Sequence, residues 1–152
     1  YRKVVGNPDS MPFAIQQYIH VTDEKADTLT AADNCRYVRR IATAMREKYG
    51  RLREASFLEE IPAKGEPPLE EIAERCLIGS ANKVAEQLIK EIEVLKLSHL
   101  SCFFAFGSLE HKKVMRSIER FGSDVIPQIK RHFGSLEKAG VPVKRRLAAA
   151  AE

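Results

Sequence analysis

Two strand-like segments lie much further apart in this chain than a hairpin allows, and the stretch between them reads as helical. The first, Phe13-Ala14-Ile15-Gln16-Gln17-Tyr18-Ile19-His20-Val21, follows Pro12, is rich in β-branched and aromatic residues, and ends at the helix-start signal Thr22-Asp23-Glu24. The second, His99-Leu100-Ser101-Cys102-Phe103-Phe104-Ala105-Phe106, is apolar on both faces, as a parallel strand sandwiched between layers should be, and stops at Gly107-Ser108. Strands joined by a long helical crossover pair in parallel with right-handed connection. The pattern therefore predicts an α/β fold with residues 13–21 and 99–106 adjacent and parallel. Two strands cannot by themselves complete such a sheet, so further strands are expected from an absent N-terminal region, a second copy or a partner.

The connecting segments fill in the order. From Asp23 to Tyr49, Val38, Ile41, Ala42, Met45 and Tyr49 recur at helical spacing, and Gly50 supplies a stop. Pro62, Gly65, Pro67 and Pro68 make the stretch from Leu52 a loop crossing, after which Pro68 opens a short helix over residues 69–75. Ser80 is the expected N-cap of a helix whose buried stripe is Val84, Leu88, Ile92 and Leu95, ending near Lys96. A third helix is expected from Gly107-Ser108, with Val114, Ile118, Phe121 and Val125 in register. Gly122 and Pro127 bend or restart it around Ser123, which could cap the second piece.

With 44% hydrophobic residues among 152, the chain is long enough to bury a core. The 25 Lys and Arg against 21 Asp and Glu are interspersed along the helices, a weak polyanion signal, so no nucleic-acid partner is expected. Lys144-Arg145-Arg146 before the alanine run reads as a solvated tail, and the domain is expected over residues 1–135 with a basic, alanine-rich tail over 136–152. Cys35, Cys76 and Cys102 are odd in number with no C-x-x-C pair, which indicates neither a disulfide framework nor a structural metal; a reducing cytoplasm fits. No membrane span and no signal peptide are expected. A start at Tyr1-Arg2-Lys3 without Met suggests a processed or truncated product.

Leu77-Ile78-Gly79-Ser80 followed by Lys83-Val84-Ala85-Glu86-Gln87, together with Ser98 onward to Gly107, resemble the bacterial luciferase-like flavin-dependent monooxygenases: the first looks like that family's penultimate barrel helix with its small-residue opening, the second like its final strand. The run Val114-Met115-Arg116-Ser117-Ile118-Glu119-Arg120-Phe121-Gly122-Ser123-Asp124-Val125-Ile126-Pro127 looks like the terminal helix and is the most specific match. Residues 13–23 and 65–71 match more briefly. The resemblance implies the C-terminal portion, about the last two β/α units, of a TIM-type (β/α)8 barrel that needs ~250 residues.

It also implies an activity: oxidation of an organic substrate with dioxygen and reduced FMN, or a deazaflavin in one branch, with a flavin reductase as a possible partner and a homo-oligomer, such as a dimer, as the assembly. The flavin carries the hard chemistry while the protein orients and shields it. The family's flavin-holding residues lie mainly on earlier strands, so no catalytic or cofactor-binding residue carries over to this chain, which would supply pocket wall and, over residues 55–68, a mobile cover. The substrate-pocket candidates are Gln16, Tyr18 and His20 on the polar face of the first strand, together with Phe103. The plainer readings are a structural hydrogen bond for His20 and core packing for Gln16, Tyr18 and the phenylalanines. Gly79-Ser80 could bind phosphate but reads first as a cap, Cys102 reads as a small core residue, and His99, His111 and His132 lack metal spacing. The competing reading is a catalytically inactive fragment that acts only as a helix-rich, self-associating module.

Overall fold

The structure, a computed structural model, describes residues 13–53 and 67–140. Its elements are β1 (Ala14–Val21), α1 (Lys25–Arg53), α2 (Leu69–Arg75), β2 (Leu77–Gly79), α3 (Ala81–Leu95), β3 (His99–Phe103), α4 (His111–Arg120), a π-helical turn (Phe121–Val125) and α5 (Ile126–Phe133). The three strands form one parallel sheet in the order β2-β1-β3. As the helical crossover requires, β1 and β3 are neighbours, with Ala14 opposite His99 and Tyr18 opposite Phe103. On the other side of β1, Ile19 to Val21 pair with Leu77 to Gly79.

This topology corrects the expectation of a barrel fragment. A (β/α)8 barrel adds each new strand beside the last, in one direction. Here the chain places β2 and β3 on opposite sides of β1, so β1 is central and the sheet is open. The strand β2 was not expected at all. Leu77-Ile78-Gly79 is too short to show a period of two, and it reads as the lead-in to Ser80; all three residues are buried against β1. The strand β3 also differs from the expected sandwiched strand: His99, Ser101 and Phe103 are exposed in strict alternation because β3 is an edge, and it ends at Phe103, before Phe106.

Both faces of β1 carry helices, which fixes its pattern. The odd-numbered side chains Ile19 and Val21, with Ile15 and Phe13 alongside, pack into the main core with Leu77, Val84, Leu88, Ile92, Val125 and Ile129. The even face meets α1, where Tyr18 and Ile78 pack with Ala31, Val38 and Phe106. Ser80 caps α3 as its position predicts, its Oγ accepting from Lys83 N–H at 3.3 Å, and α3 stops at Lys96 in the left-handed region with φ 53°. That ending uses a lysine where glycine would be less strained.

The helical run after β3 begins at His111, later than Gly107-Ser108, because Ser108 N–H is held by the side chain of Asn34 on α1. Gly107 sits at φ 61° directly against Asn34, where a Cβ would lie 2.2 Å from the Asn34 amide oxygen. The run does not break at Gly122. Pro127 lacks the N–H that would continue the ladder, and Ile126 N–H reaches back to Phe121 O, closing a π turn that carries α4 into α5 without interruption. Ser123 bonds the Asp124 carboxylate instead of capping a new helix.

Helix α1 continues through Gly50 to Arg53, since a glycine costs a helix only about 1 kcal/mol and does not by itself end one. Its buried face is Asp27, Ala31, Ala32 and Asn34, whereas Ile41 and Met45, expected in the core stripe, are exposed. Among the side chains described, those that pack against the sheet and α2 lie between Asp27 and Val38. Packing on the C-terminal side extends through residue 140, with Ala139 against the main core and Gly140 against the Leu97 carbonyl. The residues 141–152 of the expected tail and most of the expected cover over residues 55–68 lie outside the described residues.

Candidate functional site

Ligand sites in open parallel sheets form beyond the carboxyl ends of the strands. At that end of β1 the chain assembles a compact group of charges. His20 and Asp27 are both buried, at 0% and 4% exposure, and His20 Nε2 lies 2.9 Å from Asp27 Oδ2. With the carboxylate as acceptor, Nε2 is the donor. Lys113, from the first turn of α4, brings its Nζ to 2.9 Å from Asp27 Oδ1.

The strand end is fixed by two further contacts. The hydroxyl of Ser117, fully buried on α4, accepts from Val21 N–H at 2.8 Å. Thr22 N–H donates to Gly79 O at 2.8 Å, carrying the chain out of the sheet beside β2. The buried pair therefore sits between three anchored elements: β1, the start of α1 and the first half of α4.

Burial raises the pKa of the Asp27 carboxyl, but the contacts with Lys113 and His20 outweigh it, and the group ends below its ordinary value of 3.8. In turn, the Asp27 carboxylate raises the Lys113 ammonium above its usual value. Outside this pair, a cleft of about 160 Å³ is lined by Thr22, Asp23, Glu24, Lys113, Arg116 and Arg120. Its cations are already matched: Arg120 pairs with Asp23 and Asp124, and Arg116 approaches Glu24 at 3.9 Å. A cleft so neutralised offers little to a bound anion.

The predicted pocket residues divide. Tyr18 and Phe103 face each other across the β1–β3 pairing, with ring centroids 6.0 Å apart, and Phe106 stands edge-on to Tyr18 at 5.2 Å. Phe103 is 41% exposed, so this aromatic group opens to solvent along one rim. Gln16 adjoins it on the same face of β1, opposite Ser101, and is exposed. His20 is held apart from them: α1 covers it, and its Nδ1 is buried without a hydrogen-bond partner. It cannot touch a ligand while α1 is in place.

Asp27, Lys113 and Ser117 were missed by sequence reasoning. A signal existed for one of them: Asp27, Ala31 and Asn34 share the stripe of α1 that meets the sheet, and a carboxylate on a stripe of small residues needs a buried partner. For Lys113 and Ser117 no local signal exists, since Lys113 gains its role from Asp27 on α1 and Ser117 from Val21 on β1, both far away in sequence.

Of the three rings only Phe103 is exposed; Tyr18 is half-buried and Phe106 is buried in the core beneath α1. At the Gly79-Ser80 turn, which reads first as a cap, Ser80 caps α3, and Lys83 Nζ is turned onto the carbonyl oxygens of Ala73 and Ile78 at 2.6 and 3.0 Å. Among the described residues no group of His, Cys, Asp and Glu is placed to hold a metal ion, and no helix is long and apolar enough to cross a membrane.

Comparison with known proteins gives one curated relative. The chain is 28% identical over 118 residues to the uncharacterized protein y4vJ of Sinorhizobium fredii, a match that takes in 78% of this chain and 34% of that protein. The chain thus spans about a third of that relative's length. No family model matches. No solved structure matches, so the corrected barrel expectation has no structural relative behind it either.

Proposed function

We propose that this chain is part of a luciferase-like flavin-dependent monooxygenase, in which it supplies one wall of the flavin or substrate pocket and none of the reacting groups. The observation that supports the reading is the exposed ring of Phe103 at the β1–β3 pairing, beside the half-buried Tyr18, with the buried Phe106 packed behind Tyr18. The run of residues 114–127 supports it, since the segment that most resembles the family is also the one that fixes the end of β1 through Ser117. When bound, FMN or a deazaflavin would supply the redox chemistry with dioxygen. Tyr18 and Phe103 would pack against it or the substrate and exclude water, while His20, tied to Asp27, keeps the strand end in place. The flavin phosphate would be held by residues outside those described, and a separate flavin reductase would supply the reducing equivalents.

The test is titration of FMN into the full-length protein, followed by quenching of flavin fluorescence. Saturable quenching is expected, weakened by about tenfold in Phe103→Ala, the loss of roughly one aromatic contact. A full-length protein that leaves FMN fluorescence unchanged contradicts the proposal.

A second reading, the self-associating module, is favoured by a different observation. Tyr37, Ile41 and Met45 are exposed at 57%, 42% and 50% at intervals of four along α1, an apolar stripe on the exposed face of the helix. Sedimentation of the chain should then show a concentration-dependent dimer that Ile41→Glu converts to monomer. A monomer at all concentrations removes this reading and leaves the first untouched.

A further inference from the structure

The cysteine count argues against a disulfide framework, yet the fold brings two of the cysteines together. Cys35 on α1 and Cys76 at the end of α2, 41 positions apart in sequence, have their Sγ atoms at 3.8 Å, hydrogen-bonding distance for sulfur. Both are free thiols, half-buried at the seam where α1 and α2 meet the start of β2. We propose that Cys35 and Cys76 are an oxidation site: a dithiol that hydroperoxides convert to an intramolecular disulfide joining α1 to the α2–β2 junction.

The surroundings assign different roles to the two sulfurs. Cys76 is drawn down to about 7 by the Cys35 thiol, which donates to its thiolate, and burial opposes this while Lys83 and Arg39 add to it. Cys35 is pushed up by the same contact and by burial. The thiolate is the nucleophile, so Cys76 attacks first. Its sulfur forms a bond to one peroxide oxygen, the O–O bond breaks, and the departing hydroxide leaves as water after taking a proton, which yields a sulfenic acid at Cys76. Cys35 then attacks that sulfur: the S–S bond forms, the S–O bond breaks, and the second oxygen leaves as water with the Cys35 proton. The two thiols lose two electrons and the peroxide gains them. The sulfurs need to approach by less than 2 Å to reach a bond length of about 2.05 Å. Cys102 takes no part, since it lies on β3 in the other core and is raised by burial.

The test is treatment of the reduced chain with hydrogen peroxide near pH 7, followed by maleimide labelling in denaturant and mass analysis. One maleimide is expected where the reduced chain takes three, with Cys35 and Cys76 joined in a single cross-linked peptide. Cys35→Ser should instead accumulate a dimedone-reactive sulfenic acid at Cys76, and Cys76→Ser should slow oxidation of Cys35 by at least about tenfold. Three maleimides after peroxide, a bridge that includes Cys102, or covalent dimers would overturn the proposal. The wild-type labelling decides this even if a serine variant folds poorly.

Discussion

Replacing Asp27 with alanine is expected to destabilise the fold by about 3 kcal/mol, the lower end of the range for breaking a buried ion pair. Asp27 holds His20 on one oxygen and Lys113 on the other, and it joins β1, α1 and α4. Its removal leaves an imidazole that is fully buried with neither ring nitrogen bonded, since Nδ1 already lacks a partner. Lys113 loses little, because its ammonium turns to solvent. The lower end of the range applies because that lysine reaches the pair from the exposed side. The same group sets a pH dependence. A carboxyl whose folded pKa lies below its unfolded value adds stability above about pH 4, and that contribution is lost as pH falls through the folded pKa. Urea unfolding from pH 7 down to pH 3 should therefore show wild type and Asp27→Ala far apart at neutral pH and converging below about pH 4. Equal stability of the two at pH 7 would mean that the buried pair does not hold the strand end.

Truncation of Ile19 to alanine should cost a similar amount by another route, about 3–4 kcal/mol. Ile19 is fully buried at the centre of the only strand with neighbours on both sides among the described residues, and it faces Leu77, Val84 and Leu88. The lost side chain leaves a cavity between a sheet and a helix that are both anchored, so the site collapses little. Ile118, on the exposed side of α4, is the matched control: its truncation should cost less than about 0.5 kcal/mol. Denaturant midpoints that fall equally for the two would contradict the central placement of β1.

The local elements were largely legible because each depends on residues close in sequence. The strand at residues 14–21, the helix at 69–75, the Ser80 cap and the parallel β1–β3 pairing all follow from spacing, turn residues and connection length. The illegible features depend on neighbours that no local pattern specifies. Leu77-Ile78-Gly79 becomes a strand only because Ile19 to Val21 present an open edge to it. Phe103 is exposed because β3 is the last strand on its side among the described residues. His20 lies on the strand face that reads as pocket lining, but that face is covered by α1, and the partner of His20 is the helical carboxylate of Asp27. The cysteines show the same limit, since counting and spacing cannot report a contact made across two helices.

The proposal that a flavin or its substrate packs against the rings of Tyr18 and Phe103 is tested most directly by photolabelling of the full-length protein with 8-azido-FMN. After illumination and digestion, label is expected on the peptides carrying β1 or β3 and is suppressed by excess FMN. Suppressible label that falls only on other parts of the protein would contradict it.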